Sequence, residues 1–398
     1  MSAADLIQRL DIDLVSALDE TERRQVLQAC DRLKAKLETP MDTTARLVFS
    51  SHQAMAVRLG IDMKLFDAMA KASKLAEEPF NVQDWCEETG SDPLLVRRIT
   101  RFLAAMGVIQ EIDGDSYTQT PLAAAYVSSS PLSAAVIHST HFLTVLSRLP
   151  EYFHVNGWKS PGDGLDGPFQ FALGADGHYF DFLSTHPYYS QAFNTVMGMS
   201  FRRRGRDWFE VFPVEERLRV SSSSDPLIVD VGGGQGEDLK KFQEHFSDLP
   251  GKLVLQDLPA VIEGVKDLSG IEVQSHDFFQ KQPVQDAKVY FLRTVLHDWP
   301  DKQAIQILGN LRDAMSRESI LLISEIMQPE SGVPLPSVLS DMQMMGSFAS
   351  LERTQAQWQT LLKAAGFELV QVWLSDRSPI SQAEQPALLE ARVSESTI

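Results

Sequence analysis

Leu227-Ile-Val-Asp-Val-Gly-Gly-Gly-Gln-Gly-Glu-Asp-Leu239 is the most informative stretch of this 398-residue chain. An apolar run, Leu227 to Val231, stops in a cluster of glycines, and a helix-like segment from Glu237 to Phe246 follows at once. A strand, a glycine turn and a helix in this order direct free backbone N–H groups at the helix start towards a nucleotide-like ligand. Glycine lets the backbone approach that ligand closely, because it has no Cβ atom.

The spacing of the glycines distinguishes between two kinds of nucleotide site. A dinucleotide fingerprint, Gly-x-Gly-x-x-Gly, would require glycine at position 237, where this chain has Glu237. The observed pattern is Asp230-x-Gly232-x-Gly234-x-Gly236. This acidic form is typical of S-adenosylmethionine (SAM) sites in methyltransferases. The turn therefore predicts SAM as the cofactor, with Gly232 and Gly234 among the residues that bind it.

Polar residues also follow the next three β-like runs, where an open α/β sheet presents its ligand crevice. Asp257 ends the second run, about 20 residues beyond the glycines, where a carboxylate can accept both ribose hydroxyls. Asp277 and Phe278 follow the third run and suit the adenine amino group and ring. Arg293 ends the fourth run. A cation there can meet the adenosine or sulfonium surroundings only indirectly, so its role stays open.

Six short motifs give the chain its family resemblance. In their order and spacing it resembles the class I plant- and fungal-type O-methyltransferases, which include caffeate and flavonoid methyltransferases. The motifs are Val229-Asp-Val-Gly-Gly-Gly-Gln-Gly236, Gln256-Asp-Leu-Pro259, His276-Asp-Phe-Phe279, Leu296-His-Asp-Trp299, Ser324-Glu325 and Leu351-Glu-Arg-Thr354. The match is best to the fungal secondary-metabolite branch, because a long segment precedes the glycine motif. The resemblance implies SAM-dependent methyl transfer to a hydroxyl by a histidine base between two glutamates.

The candidate catalytic residues are His297, Glu325 and Glu352. A phenol has a pKa of about 10 and is mostly protonated at neutral pH. A neutral imidazole that takes this proton during the reaction raises the rate by roughly 10²–10⁴-fold. A carboxylate on the other ring nitrogen would fix the tautomer; Glu325, at the end of the next strand, can reach it, and Glu352 matches the family's second glutamate. A metal-assisted mechanism would need clustered oxygen ligands, and only Asp298 and Asp301 accompany the histidine, so no metal is expected.

Two functions of different classes fit these residues. The first is O-methylation of a phenolic or enolic hydroxyl on an aromatic or polyketide-type secondary metabolite. The second is a family member that retains SAM binding but catalyses a pericyclic or dehydration step in natural-product biosynthesis, as some fungal relatives do. The intact set of His297 with its two glutamates favours methyl transfer. The identity of the acceptor is not encoded in any motif.

The chain is expected to form an α/β enzyme with a separate N-terminal domain. Alternating β-like and helical runs from residue 226 onward predict a Rossmann-like, parallel, doubly wound sheet. The expected domains are a mainly helical winged-helix dimerisation domain over 1–130, a helical connector over 131–220 and a SAM-binding methyltransferase domain over 221–398. The resemblance makes the connector the wall of the acceptor pocket, with His138, His141, Phe180, Phe193 and Met199 as candidate lining residues.

The N-terminal region predicts helices and a winged module. Residues 1–40 have the pattern of an amphipathic helix, with leucines near helical spacing at Leu6, Leu10, Leu14 and Leu18. A winged helix-turn-helix is predicted from helices over Val82–Glu88 and Leu94–Met106 and a hairpin at Asp113-Gly-Asp115. The family resemblance implies that this module serves dimerisation. We therefore expect a homodimer formed through residues 1–125.

Composition limits the other partners. The chain has 36 Lys and Arg residues against 54 Asp and Glu residues, a net charge of −18 at pH 7. This charge repels a phosphate backbone and an anionic membrane surface, so neither nucleic acid nor membrane is an expected partner. No apolar run reaches the roughly 18 residues of a membrane span, and no secretory signal is visible. With two cysteines, too few for a disulfide framework, a cytoplasmic enzyme acting on a small hydroxylated molecule is expected.

Overall fold

The structure is a computed structural model. It describes residues 18–73, 79–199, 206–266, 268–374 and 385–394. The chain divides into two compact units, residues 1–128 and residues 129–398. Of the leucines predicted to form the first amphipathic helix, Leu6, Leu10 and Leu14 lie outside the described residues.

The first unit is mainly helical and contains the predicted winged module. Its helices are α1 (Glu20–Leu37), α2 (Pro40–Asp62), α3 (Leu65–Ser73), α4 (Val82–Thr89), α5 (Pro93–Ala105) and α6 (Pro121–Ala124). Its strands β1 (Phe80–Asn81), β2 (Ile109–Asp113) and β3 (Ser116–Gln119) form an antiparallel sheet in the order β1-β3-β2. Helices α4 and α5 begin where the Asn81 and Asp92 side chains accept backbone N–H groups of the first turn. The winged helix-turn-helix prediction is confirmed.

Helices α1 and α2 expose many apolar side chains. They are Val26, Leu27, Leu33, Leu37, Met41, Leu47, Val48, Phe49 and Met55. Leu37 and Met41 are 72% and 76% exposed. So many exposed apolar side chains on two successive helices are available for contact with a partner.

The second unit begins with helices and continues into the large sheet. The first part contains α7 (Pro131–His141), α8 (Leu143–Val155), α9 (Pro168–Leu173), α10 (Tyr179–Thr185), α11 (Pro187–Gly198), α12 (Trp208–Val211) and α13 (Val214–Arg217). The sheet part contains β4 (Pro226–Val231), α14 (Glu237–His245), β5 (Lys252–Asp257), α15 (Pro259–Ile262), β6 (Ile271–Ser275), β7 (Val289–Arg293), α16 (Asp301–Arg312), β8 (Ile320–Met327), α17 (Leu335–Phe348), α18 (Gln355–Ala364), β9 (Phe367–Leu374) and β10 (Gln385–Val393). The strand order is β6-β5-β4-β7-β8-β10-β9.

The central strands are buried on both faces of the sheet. Along β8, Leu321 and Ile323 belong to one hydrophobic cluster, whereas Ile320 and Leu322 belong to another, and all four side chains are inaccessible to solvent. Successive side chains of a strand point to opposite faces, so the two clusters lie on opposite sides of the sheet. Burial on both faces explains why these strands are nearly continuous apolar runs and confirms the doubly wound α/β fold.

One detail of the predicted sheet is wrong. The pairs β6–β5, β5–β4, β4–β7 and β7–β8 are parallel as predicted, but β10 is antiparallel to both β8 and β9. The sequence between β9 and β10, residues 375–384, contains ten residues. A parallel connection needs a crossover of roughly a dozen residues or more, so this short link permits only the antiparallel arrangement.

Parallel pairing gathers the carboxyl ends of β4, β5, β6, β7 and β8 at one edge of the sheet. The glycine turn follows β4, Asp257 ends β5, and Arg293 ends β7. The predicted site residues of these strands are therefore neighbours in space. No helix in the described ranges combines the length and apolarity that a membrane crossing requires.

Candidate functional site

The glycine turn after β4 is closely packed at one glycine and open at another. Gly232, Gly234 and Gly236 have φ angles of 73°, 61° and 77°, a left-handed conformation that side chains disfavour. A Cβ atom on Gly232 would lie 3.0 Å from Val295 Cγ2 and 3.7 Å from Phe278 Cε1, whereas one on Gly234 would meet no atom within 4 Å. The turn therefore packs closely against Val295 and leaves open space beside Gly234.

Asp257 contacts the glycine turn directly. Its Oδ2 accepts the Gly234 N–H at 2.8 Å and its Oδ1 accepts the Leu258 N–H at 2.7 Å. Burial raises the pKa of Asp257 above its usual value, although these two N–H donors act in the opposite direction. The carboxylate is thus anchored beside the turn, where the sequence places the ribose-binding acid.

Asp277 and Phe278 form the next side of the site. The Asp277 Oδ1 accepts the Phe279 N–H at 3.0 Å, and the Phe278 carbonyl accepts the Asn310 amide at 2.9 Å. The Phe278 ring lies edge-on to Trp299, with 5.9 Å between ring centroids. Phe278 therefore lies between the glycine turn and the segment that carries His297.

Arg293 forms an ion pair with Asp238 in the first turn of α14. Asp230, at the end of β4, is 1% exposed, and its Oδ2 has no hydrogen-bond partner among the described residues. Burial raises the pKa of Asp230 well above its usual value, Asp238 adds to this effect, and Arg293 opposes it. Arg293 therefore contacts Asp238 and acts on Asp230 through its charge.

His297 lies in a single 3₁₀ turn, Leu296–Asp298, that follows β7. Its Nδ1 is 3.5 Å from Glu352 Oε1, and its Nε2 is 3.5 Å from Asp298 Oδ1. Both distances are at the long end of the hydrogen-bond range, as is common for catalytic contacts in ligand-free sites. Each ring nitrogen therefore faces a carboxylate.

The structure corrects the predicted contact of Glu325. Its Oε1 accepts the backbone N–H groups of Leu296 and His297, at 3.1 and 3.3 Å, rather than an N–H of the imidazole. The sequence placed Glu325 at the end of its strand, but β8 continues to Met327. Glu325 therefore lies inside the strand, below the backbone of the turn, and supports the turn.

Glu352 supplies the contact to the ring. The sequence placed it at the start of a helix, but it lies in the loop between α17 and α18, and the N-cap of α18 is Thr354. Its Oε1 also accepts the Ser340 hydroxyl at 2.9 Å, and its backbone N–H donates to Asp341 Oδ1 at 2.9 Å. These bonds hold the carboxylate in one position beside His297.

The carboxylates determine the charge of the imidazole. Burial by itself lowers the pKa of His297, but Asp298, Glu325 and Glu352 outweigh this effect and raise the pKa above its usual value. Burial raises the pKa of Glu325, and His297 opposes that rise. The sequence led us to expect a neutral imidazole, whereas the surrounding carboxylates favour the imidazolium. With three carboxylates around one cation, the site attracts positive charge.

The connector supplies an aromatic cluster, in which sequence reasoning missed His178. His178 is 3% exposed, and its ring stacks on Trp299 with 4.1 Å between centroids and 14° between planes. Burial lowers the pKa of His178 to about 4, so this ring is neutral. It also contacts Phe180 and Phe348, at 5.0 and 5.4 Å. No motif marked it, because its role depends on packing between distant segments.

Some of the residues predicted to line the acceptor pocket contact one another in the structure. Phe193 lies 5.8 Å from Phe180 and 5.7 Å from His138, between ring centroids. His141 stacks on Tyr189 at 4.0 Å, in the same aromatic region. Met199 follows the last turn of α11. In the described ranges, no group of three or more His, Cys, Asp or Glu is arranged to hold a metal ion.

Known proteins resemble the chain over nearly its whole length. A model of the O-methyltransferase domain matches residues 163–368, and a model of the O-methyltransferase dimerisation domain matches residues 45–129. The chain is 31% identical to demethylsterigmatocystin 6-O-methyltransferase of Aspergillus flavus, over 95% of each chain.

Solved structures also match the chain over nearly its whole length. The structure of LepI in complex with SAM has a TM-score of 0.80 and 29% identity, and covers 98% of this chain and 99% of that one. A structure described as a pericyclic reaction enzyme matches with the same values, a TM-score of 0.80 and 29% identity.

The cofactor contact of Asp257 leads to a first prediction. Asp257→Ala should weaken SAM binding by about 1.5–3 kcal/mol, because a charge-assisted hydrogen bond to the ribose is lost. Asp257→Asn should retain part of the affinity, since its carbonyl oxygen can still accept the Gly234 N–H. Calorimetric titration measures both, with exposed Glu263→Ala as the control. Unchanged affinity in Asp257→Ala would remove this residue from the site.

Proposed function

We propose that this chain, which belongs to the O-methyltransferase family, uses His297 as the base in SAM-dependent methylation of an acceptor hydroxyl. The family establishes O-methyl transfer and SAM as the cofactor. What we propose is the role of each residue in the transfer and the chemical class of the acceptor. The observation that carries it is the imidazole of His297 fixed between carboxylates at the sheet edge that holds the glycine turn.

The residues at this edge fit the cofactor. We propose that Gly232 and Gly234 lie against it, that Asp257 accepts the ribose hydroxyls, and that Asp277 and Phe278 bind the adenine. The left-handed glycine turn, with open space beside Gly234, and the anchored carboxylate of Asp257 support this assignment. When bound, SAM supplies a methyl group on a positively charged sulfur, and a cation beside an imidazolium disfavours its charged form.

The base in this proposal is the Nε2 atom of His297. Glu352 holds Nδ1, which fixes the ring orientation and stabilises the imidazolium that forms when the ring takes the acceptor proton. Asp298 lies beside Nε2, and its negative charge stabilises the positive charge that develops on the ring. Glu325 holds the backbone of the turn, so that it positions the base without contacting the acceptor.

For the acceptor, we propose a phenolic or enolic hydroxyl on an aromatic or polyketide-type secondary metabolite. The aromatic residues of α10 and α11 offer flat apolar surfaces that suit a fused aromatic ring. The name of the relative from Aspergillus flavus, a demethylsterigmatocystin 6-O-methyltransferase, supports the same class. We further propose that residues 131–220 form a connector that lines the acceptor pocket.

A second candidate function is a non-methylating pericyclic or dehydration step. The similarity to a pericyclic reaction enzyme supports it. Under this hypothesis SAM binds but is not consumed. Formation of S-adenosylhomocysteine during turnover distinguishes the two functions. The acceptor can be identified by untargeted comparison of metabolites between strains with and without the gene.

The chain carries an O-methyltransferase dimerisation domain, and we propose that it forms a homodimer through residues 1–125. The exposed apolar side chains of α1 and α2 support this. The negative net charge supports an enzyme without nucleic-acid or membrane partners, and the low cysteine count supports a cytoplasmic location.

The dimer proposal can be tested with light scattering at micromolar concentration. The wild-type chain should have the mass of two copies. Leu47→Glu in α2 should weaken the dimer, because it places a charge at a position that is 61% exposed and apolar. A wild-type monomer with full activity would contradict the proposal.

The proposed base predicts the behaviour of His297→Ala. The variant should bind SAM almost as tightly as wild type, but turnover should fall about 10²-fold or more, because general-base catalysis is lost. The loss should shrink for acceptors with a lower hydroxyl pKa, since these arrive already ionised. Transfer of an isotopically labelled methyl group to phenols of graded acidity measures both effects.

Exposed His154→Ala is the matched control and should leave turnover unchanged. If His297→Ala transfers methyl at the wild-type rate to the least acidic phenol, then His297 is not the base. If wild type forms no S-adenosylhomocysteine with the acceptor that the metabolite comparison identifies, the second function replaces the first.

Glu352→Gln should change the pH dependence of turnover. The imidazole acts only when neutral, and its raised pKa places the rise in activity at high pH. Removing one carboxylate disfavours the imidazolium, lowers the pKa of His297 and moves this rise to lower pH. Maximal turnover should fall roughly 10-fold as the ring orientation loosens. Exposed Glu330→Gln is the control, and an unmoved profile in Glu352→Gln would separate Glu352 from the base.

A further inference from the structure

Side chains bond most of the backbone polar groups of the turn that carries His297 and of Trp299, which follows it. Glu325 accepts the N–H groups of Leu296 and His297. The carbonyl groups of Leu296, His297 and Trp299 all accept hydrogen bonds from Ser350 or Arg353. A 3₁₀ turn this short has few hydrogen bonds of its own, so its position depends on these side chains.

Arg353 provides two of these bonds and is itself fully enclosed. Its guanidinium donates to the Leu296 carbonyl through Nη1 and to the Trp299 carbonyl through Nη2, both at 2.8 Å. It also donates to Asp301 Oδ1, at 3.1 and 2.8 Å, and lies 5.2 Å from the centre of the Trp358 ring. The side chain is 1% exposed. Its rigid planar fork spans the carbonyl groups on both sides of His297.

Ser350 provides the third bond. Its hydroxyl donates to the carbonyl of His297 itself, and the residue is buried. Ser350 and Arg353 flank Glu352, whose carboxylate faces the imidazole. One loop segment, residues 350–353, therefore contacts both the backbone and the ring of His297.

We propose that Arg353 and Ser350 are positioning residues that hold the imidazole of His297 at the reacting hydroxyl. This inference rests on the proposed function of His297 as the base. A base must lie within hydrogen-bond reach of the proton that it removes, and a displacement of about 1 Å can cost as much as 10²-fold in rate. Three hydrogen bonds to backbone carbonyl groups set that distance. The Arg353 guanidinium donates two of them, and the Ser350 hydroxyl donates the third.

The first test reads the position of the imidazole without an acceptor. The full-length enzyme, labelled with ¹³C in its nine histidines and saturated with S-adenosylhomocysteine, is titrated by NMR, and His297→Ala identifies the His297 signal. Ser350→Ala and Arg353→Lys leave the net charge unchanged. The charges of Asp298, Glu325 and Glu352 raise the pKa of this ring. If the turn moves away from them, the pKa of His297 should fall by roughly half a unit to one unit.

Two matched controls make the same substitutions away from the turn. Ser347, in the last turn of α17, is equally buried, and its hydroxyl has no partner among the described residues. Arg312, at the far end of α16, donates to the Ala365 carbonyl. Ser347→Ala and Arg312→Lys should leave the His297 signal in place. An unchanged pKa in both Ser350→Ala and Arg353→Lys would overturn the inference, and Ser350→Ala alone carries the test if the arginine variant does not fold.

A double-mutant cycle provides the second test, with methyl transfer to the least acidic phenol of the series as the readout. Ser350→Ala and Arg353→Lys should lower kcat, by roughly 3- to 30-fold, with little change in the Kd for SAM. In the His297→Ala background the same substitutions should have almost no effect, because they act through the imidazole. Equal losses in both backgrounds would overturn the positioning role. If His297→Ala alone is fully active, the proposed function fails instead, and the two failures are distinct.

Discussion

Parallel pairing of the strands β4 to β8 is the constraint on which the site depends. It brings the carboxyl ends of these strands to one edge of the sheet, so that a glycine turn, an anchored acid and the turn that carries His297 become neighbours. The register is fixed because β8 is buried on both faces. A shift by one residue would exchange the clusters to which Leu321 and Leu322 belong. The same register places Glu325 below the turn after β7.

Burial of acidic groups at this edge is unfavourable by itself. Removing a carboxylate from water costs several kcal/mol unless charges or donors compensate. Burial raises the pKa of Asp230, Asp257 and Glu325 for this reason. Arg293 and His297 compensate only part of the negative charge. The protonated, neutral forms of these acidic groups are therefore favoured up to a higher pH than usual.

The sequence predicted the parts that local chemistry encodes. Periodicity and glycine spacing identified the strands, the turn and the cofactor, and the family motifs located His297 and both glutamates. They did not show that Glu352 rather than Glu325 faces the ring. That assignment depends on where β8 ends relative to β7, and on a loop without regular structure. The direction of β10 was missed because periodicity does not report strand direction. His178 was missed because stacking joins distant segments.

The two segments that meet at His297 each begin with a strained residue. Thr294 and Ala349 have φ angles of 49° and 55°, a left-handed conformation that costs of order 1 kcal/mol for such residues. Strain of this kind persists only where surrounding bonds impose it, and Thr294 is tied to the Ser324 carbonyl at 3.0 Å. His297 is therefore held by a hydrogen-bonded backbone. The wall that we propose for the acceptor, in contrast, is built from aromatic side chains whose contacts are less directional. Under that proposal, substitutions there can change the acceptor while His297 stays in place, which is why the motifs identify the reaction but not the metabolite.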